Sequence, residues 1–310
     1  MFNHISVLLD ESIESLNIKP EGIYVDATCG GAGHACKILS KLNEKGKLYC
    51  FDKDADALHV ADKRLSAISD NYVLIHSDFS RLKESLSSYG VSKIDGILFD
   101  IGVSSYQFDT PERGFSYKFD ARLDMRMDKS QMLSAFEVVN MYSEDDLVRI
   151  FQDYGEEKYA KRIARNIMLE RKMSPIESTT QLVDIIKKSL PSYELNKKGH
   201  PAKQVFQAIR IEVNGELDAL ESGLEQALSM LNTNGRCSVI SFHSLEDRIV
   251  KKKFNDVTKQ GNDSIKGLAS NNQRVIEYRL VNRHPITSTQ GELDNNNRAH
   301  SAKLRTIERI

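Results

Sequence analysis

The stretch Ile23-Tyr24-Val25-Asp26-Ala27-Thr28-Cys29-Gly30-Gly31-Ala32-Gly33-His34 sets the architecture of the whole chain. A short apolar run ends in an acid, and a glycine-rich turn follows. Next, Ala35, Ile38, Leu39 and Leu42 fall on one face of a helix that Gly46 stops. The pattern then repeats. Leu48-Tyr49-Cys50-Phe51-Asp52 is a second apolar run ending in an acid, and Leu58, Ala61 and Leu65 mark a second helix. Val73-Leu74-Ile75, closed by Ser77-Asp78-Phe79, is a third strand, and Ile94-Asp95-Gly96-Ile97-Leu98-Phe99-Asp100 is a fourth. Strands spaced by helices predict an α/β fold with a parallel doubly wound sheet.

A fifth strand of this kind does not come until Arg236-Cys237-Ser238-Val239-Ile240-Ser241-Phe242, 136 positions after Asp100. A crossover needs only a few tens of residues, so most of the gap reads as an inserted unit. Its signals are helical. Ser143-Glu144-Asp145-Asp146 resembles a capping box, and apolar pairs recur at 159/160, 163/164 and 167/168. Phe206, Ile209, Val213, Leu217, Leu220, Leu224, Leu228 and Leu231 keep a 3–4 rhythm, which predicts one long return helix from Lys203 to Leu231. The expected division is a core of residues 1–106 and 203–310 with an all-helical insert at 107–202. The polar run 255–272 reads as a loop, and 275–281 and 303–309 read as terminal strands.

Composition bounds the function without naming it. Lys+Arg total 43 and Asp+Glu 44, and 40% of residues are hydrophobic. The chain can therefore bury a core, and bulk charge points to no polyanion. The charge drifts, with 11 basic against 15 acidic residues in 1–100 and 16 against 13 in 201–310. The cysteines are Cys29, Cys36, Cys50 and Cys237, with no CxxC pair. No apolar run is long enough to span a bilayer, and residues 1–14 lack a secretory pattern. A reduced cytoplasmic protein with free thiols is expected. No His spacing such as HxxxH calls for a metal, and Asp124/Asp128 reads as a loop ion-pair element.

In an open α/β sheet, ligands bind beyond the C-terminal ends of the strands. Asp26 with the glycine turn, Asp52, Asp78-Phe79 and Asp100 all stand at such ends. The turn is neither G-x-G-x-x-G, since Cys36 takes the third position, nor a P-loop, since no Gly-Lys-Ser/Thr follows. A turn without a phosphate cradle, followed by an acid suited to ribose hydroxyls, favours S-adenosylmethionine over NAD or ATP. Read alone, the turn also fits any tight strand-to-helix connection.

Several motifs then carry a resemblance. They include Gly30-Gly31-Ala32-Gly33-His34, Asp100-Ile101-Gly102-Val103-Ser104-Ser105, Glu112-Arg113-Gly114-Phe115-Ser116 and Leu123-Asp124-Met125-Arg126-Met127-Asp128. His200-Pro201-Ala202, Phe206-Gln207-Ala208-Ile209-Arg210 and Phe242-His243-Ser244-Leu245-Glu246-Asp247-Arg248 complete the set. From residue 4 to about 309 the chain resembles the bacterial 16S ribosomal RNA cytosine-N4 methyltransferases of the decoding centre. The resemblance implies a class I S-adenosylmethionine-dependent (Rossmann-like) methyltransferase core with an inserted helical domain. It implies cofactor contacts at Ala32, Gly33, His34, Asp52, Phe79, Asp100 and Gln107, and a cytidine in small subunits or late precursors as substrate. The chain departs at Tyr106, where the family often has proline.

The chemistry narrows the remaining roles. A cytosine N4 amine is a poor nucleophile, so the enzyme must hold its N–H groups on acceptors and aim the nitrogen at a methyl. Asp100, Ser104 and Ser105 are the candidate acceptors. His243 is either a base contact or proton relay, or simply a cap on the next helix. Cytosine-C5 transfer would need a cysteine nucleophile, and no cysteine is placed for one. RNA contact is expected from Lys158, Lys161, Arg162 and Arg165 on an insert helix, from Lys251, Lys252 and Lys253, and from Arg113 and Arg126. Phe115, Tyr117 and Phe119 are either stacking rings for the base or core. Two other readings remain: a ribosome assembly factor with a vestigial cofactor pocket, and a methyltransferase for DNA or a protein amine.

Overall fold

The apolar runs become β1 (Ile23–Asp26), β2 (Lys47–Asp52), β3 (Tyr72–His76), β4 (Ile94–Asp100) and β5 (Leu231–Ser241). The terminal segments add β6 (Tyr278–Leu280) and β7 (Lys303–Arg309). The computed structural model describes residues 6–259 and 276–310, apart from the side chains of Ser105, Tyr106 and Asn297. The chain divides into two units, Met1–Gly102 with Leu217–Ile310, and Val103–Glu216.

The first unit holds one seven-stranded sheet of order β3-β2-β1-β4-β5-β7-β6. β1 to β5 run parallel, and β7 pairs antiparallel with both β5 and β6. The strand order reverses between β1 and β4, the switch point at which such sheets bind ligands. Both sheet faces are covered, which explains why the strands read as continuous apolar runs rather than as alternation. Val25, Phe51, Ile97, Phe99 and Val239 pack on one side with Leu220, Leu224 and Phe254. Tyr24, Leu48, Cys50, Leu98 and Ile240 pack on the other with Ile13, Leu16 and Ile38.

The second unit is built on helices Ala135–Met141, Glu144–Asp153, Ala160–Glu170, Thr179–Ser189 and Lys203–Asn214. Their apolar faces, including Val138, Ile150, Ile163, Ile167, Ile186, Phe206 and Ile209, close a separate core. Ser143 caps the second of these helices through the Asp146 N–H at 3.1 Å, as its sequence signature predicts.

One boundary differs from the sequence expectation. The expected long helix 203–231 is two helices, Lys203–Asn214 and Glu216–Met230. Gly215 lies between them with φ 59°, a left-handed cap whose N–H bonds the Ile211 carbonyl. Val205, Phe206, Ala208 and Ile209 of the first helix lie in the insert core, whereas Leu220, Leu224 and Leu228 of the second cover the sheet. The return crossover is therefore Glu216–Met230 alone, and the insert is 103–216 rather than 107–202. Residues 255–258, expected in a loop, continue the helix Ser244–Thr258. The rest of the expected loop, 260–272, and residue 275 lie outside the described residues.

Where β1 meets β4, Gly96 makes room for the Tyr24 ring. A Cβ at Gly96 would stand 2.7 Å from Tyr24 Cε1. Tyr24 is fixed at its far end, its hydroxyl accepting the Lys19 N–H at 2.7 Å. Gly96→Ala is expected to destabilise the protein by about 1–3 kcal/mol through overpacking. Urea unfolding should show a lower midpoint with an unchanged slope; an unchanged midpoint would contradict this packing account.

Candidate active site

The glycine turn is bound to the strands on either side of it. Ala27 N–H reaches the Leu98 carbonyl and Cys29 N–H the Phe51 carbonyl, both at 2.8 Å. Gly30 (φ 48°) and Ala32 (φ 59°) take left-handed backbone, which folds the chain tightly into the helix Gly33–Leu39. A Cβ on Gly33 would collide with Ser6 Oγ, so the Ser6 side chain occupies the space that glycine leaves at the turn.

Parallel register brings three carboxylates to this edge. Asp26 pairs in register with Cys50 and Leu98, and Asp52 and Asp100 end the neighbouring strands. Asp52 Oδ2 accepts the Gly30 N–H at 2.7 Å and Oδ1 the Asp54 N–H at 2.9 Å. Asp26 Oδ1 accepts the Thr28 N–H at 3.1 Å, while Oδ2 is buried without a hydrogen-bond partner among the described residues. Thr28 Oγ1 accepts the Asp100 N–H at 2.7 Å, which ties β4 to the turn. His34 is buried, with Nε2 3.1 Å from the Val7 carbonyl and Nδ1 3.5 Å from Asp100 Oδ2.

Burial sets the protonation of this group. It raises Asp26 to about 6, with His34 and the Thr28 N–H opposing it. It raises Asp52 to about 6, held back by the Asp54 and Gly30 N–H groups. It raises Asp100 to about 7; Arg298 opposes the rise and Glu246 adds to it. Burial also lowers His34, which is then a neutral ring with Nε2–H on Val7. Its bare Nδ1 faces the Asp100 carboxyl, which can donate to it only in the protonated form. The edge is rich in carboxyls, with Arg298 acting on Asp100 and Lys53 on Asp52 as its nearby cations. S-adenosylmethionine carries a sulfonium, an ammonium and ribose hydroxyls, so this carboxyl-rich edge fits it.

Other expected contacts fall into two groups. Phe79 meets Phe99 edge-on at 5.4 Å and lies against Gly223, where a Cβ would stand 2.7 Å from its ring. Asp78, beside it, is ion-paired with Lys53 at 2.7 Å, which with hydrogen bonds from Ser80 holds its carboxyl below the usual range despite burial. His243 starts the helix Ser244–Thr258. Its Nδ1 accepts the Glu246 N–H at 3.4 Å and Glu246 Oε2 accepts the His243 N–H at 3.2 Å, a capping box, while Nε2 is buried without a hydrogen-bond partner among the described residues.

In the second unit, Ser104 and Gln107 form a capping box on the short helix Ser105–Asp109. Ser104 N–H donates to Gln107 Oε1 at 3.0 Å, and Gln107 N–H to Ser104 Oγ at 3.2 Å. The Ser105 side chain lies outside what the structure describes. Lys158, Lys161, Arg162 and Arg165 are exposed on and beside the helix Ala160–Glu170, and Lys251 and Lys252 are exposed on the first unit. Lys253 is paired with Glu225 at 3.0 Å.

Arg113 and Arg126 correct the sequence expectation of phosphate contacts. Arg113 is 5% exposed, and its Nη2 donates to the Arg126 and Met127 carbonyls at 2.8 and 3.1 Å. Arg126 grips both oxygens of Asp124 and the carbonyls of Lys129 and Gln131. Both guanidinium groups are used in holding their own loop. Among the rings, Phe115 is core, Tyr117 is half-buried and Phe119 is exposed.

Thr28, Arg298 and Glu246 are the site neighbours that sequence reading missed. Thr28 sits in the quoted stretch and had a readable signal, a hydroxyl two residues past a strand-end acid. Arg298 and Glu246 lie more than 140 positions from Asp100, and no local pattern joins them.

Asp100→Asn tests the electrostatics of the edge. The folded carboxyl holds its proton up to about pH 7, whereas the unfolded one loses it near 3.8. The ionised carboxylate is then a burden on the fold above about pH 7, and the burden vanishes below about pH 4, where both states are protonated. The amide avoids that burden, and its N–H can face His34 Nδ1. The ligand-free variant is expected to be more stable than wild type at pH 8, on the order of 1–3 kcal/mol, with the gap closing towards pH 4. Thermal melts across that range would check it, and a pH-independent gap would refute it.

The description MraW methylase family matches residues 1–310. Ribosomal RNA small subunit methyltransferase H of Streptococcus mutans is 54% identical over 312 residues, covering 100% of this chain and 98% of its own. Among solved structures, an rRNA methylase from Streptococcus thermophilus aligns over 100% of this chain and 99% of its own, at 13% identity and TM-score 0.44. A methyltransferase from Streptococcus mutans in complex with SAH aligns over 99% and 100%, at 13% identity and TM-score 0.44. The sheet order, with its reversal between β1 and β4, is that of a class I methyltransferase. With the match running from the first residue to the last, this chain belongs to the MraW methylase family.

Proposed function

We propose that the chain methylates the exocyclic N4 of one cytidine in 16S ribosomal RNA, using S-adenosylmethionine and acting on the small ribosomal subunit in the cytoplasm. The observation that carries the reading is the convergence of the Asp26, Asp52 and Asp100 carboxyls on one glycine turn. The 54% identical relative bears the name of a small-subunit ribosomal RNA methyltransferase, and the same substrate class is assigned here.

When bound, S-adenosylmethionine supplies an electrophilic methyl group on a sulfonium. Asp52 accepts the ribose hydroxyls, the Ala32-Gly33-His34 backbone lines the turn, and Phe79 packs on the adenine. Asp100 accepts an N–H of the cytosine amine, aims the nitrogen lone pair, and takes the proton that N4 sheds as its new C–N bond forms. A carboxyl with an affinity for protons near neutrality suits that step. Ser104 and Gln107 act by holding the start of the helix after Asp100, and Ser105 remains a candidate acceptor. Nδ1 of His243 caps the helix after β5, so its part is assigned to setting that loop. Cysteine chemistry is not used: Cys29, Cys50 and Cys237 are buried, and burial raises the Cys50 and Cys237 thiols while Cys50 and burial raise Cys29.

Lys158, Lys161, Arg162 and Arg165 offer exposed cations to phosphates, as do Lys251 and Lys252. The target base must leave its stack to meet the methyl group. The intact acids at Asp52 and Asp100 weigh against an assembly factor with a vestigial pocket.

Labelled methyl donor with unmodified small subunits, followed by mass mapping, should place one methyl on a cytidine N4. Label on naked DNA or on protein instead would overturn the reading. Asp100→Ala should lower the transfer rate by about 100-fold or more, and full activity in that variant would remove Asp100 from its role. Replacing Lys161, Arg162 and Arg165 together with alanine should weaken subunit binding and flatten its salt dependence, with little change in the rate at saturation.

A further inference from the structure

The insert carries an aromatic pair that the methyl-transfer site does not use. The rings of Tyr117 and His200 stack with centroids 4.2 Å apart and planes 11° from parallel, and Phe206 braces Tyr117 edge-on at 5.7 Å. Both stacked residues are half-buried, so the pair reaches the surface. His200 Nδ1 accepts the Ala202 N–H at 3.2 Å, which leaves the ring hydrogen on Nε2, and that N–H has no partner among the described residues. Burial, with Lys187 and Lys118 nearby, keeps the imidazole neutral. A neutral flat ring, one free donor and two adjacent exposed lysines make an ordered set. Seven positions earlier, Tyr193 is 61% exposed with Lys197 Nζ 5.7 Å from its ring centre.

We propose that the Tyr117–His200 pair is a stacking platform for an unpaired RNA nucleotide, with Lys118 and Lys187 on its flanking phosphates. The proposal rests on the RNA-substrate reading and deepens it, because it names a second contact on the same RNA apart from the target base. The groups explain one another. Sequence-tolerant binding of single strands combines aromatic faces with cations that follow the backbone. A protein-docking face would lack a reason for two lysines beside a neutral histidine.

The test uses the full chain and a single-stranded 12-nucleotide RNA carrying 2-aminopurine, read by fluorescence and by affinity. Wild type should quench the probe. His200→Ala should lose the quench and bind about 5–150-fold more weakly, the range for one lost stacked base. His200→Phe, which keeps a ring, should retain the quench. The exposed pair Lys118→Ala with Lys187→Ala should fold normally and bind with a salt slope shallower by about 1.4, two contacts at ~0.7 each. The proposal is overturned by a wild type that does not quench, by His200→Ala matching wild type, or by an unchanged slope in the lysine variant. Methyl transfer to small subunits is followed in parallel. Its absence in wild type would sink the substrate reading, whereas probe binding reports on the platform alone.

Discussion

Three acids at the ends of adjacent parallel strands are an expensive arrangement. Asp26, Asp52 and Asp100 lose water and gain like-charged neighbours, and burial lifts all three well above the ordinary aspartate range. The fold tolerates this because both faces of the sheet are buried in apolar side chains, so the edge is a small cost against a large core. Part of the cost is offset locally. Gly30, Thr28 and Asp54 give their N–H groups to Asp26 and Asp52. Arg298 acts on Asp100, whose carboxyl also faces the bare nitrogen of His34. Three carboxyls gathered at one edge favour a cationic ligand, and the left-handed turn at Gly30 and Ala32 gives that ligand access to backbone.

Much of this was legible in the sequence, because strand-end acids and a glycine turn are local features. β1, β2 and β4 end at Asp26, Asp52 and Asp100, as the apolar runs announce. The return helix was not legible. Its 3–4 rhythm continues across Gly215 because two amphipathic helices in succession keep the same period, and periodicity cannot say that they bury their faces in different cores. The turn itself had a signal, Asn214-Gly215. Asn214 takes the Met127 N–H and donates to the Met125 carbonyl, which fixes the first helix within the insert. Arg113 and Arg126 failed for another reason. A charge count registers a guanidinium but not the carbonyls that consume it, and those carbonyls come from a loop whose path no propensity gives.

That loop shows what the insert does with its polar groups. Between Arg113 and Gln131 the chain has little regular structure, and Met125 lies at φ 59°. Its backbone is satisfied by side chains instead: Arg113 on Arg126 and Met127, Asn214 on Met125 and Met127, and Gln131 on Leu133 and Val213. Gly114 is required there, since at φ 69° a Cβ would press on the Arg122 carbonyl and, at 2.9 Å, on the Asp124 nitrogen. A network of this kind fixes one conformation, because each unpaired member would carry the full cost of a buried polar group. The insert thus presents an irregular surface without giving up rigidity.

The same economy governs the chemistry. Transfer to an exocyclic amine requires neither a thiolate nor a strong acid, since the leaving sulfonium carries its own driving force and becomes a neutral thioether. In the proposed reaction the protein must align two atoms and receive one proton. Thr28 serves the first need, because its hydroxyl holds the Asp100 backbone at 2.7 Å and so ties the end of β4 to the turn after β1. Burial serves the second, because a carboxyl lifted to about 7 accepts a proton that an ordinary aspartate would release. In the proposed reaction, the desolvation that burdens the ligand-free fold is the property that prepares Asp100 for its step. Relieving that burden without losing the step would require a different residue at the end of β4.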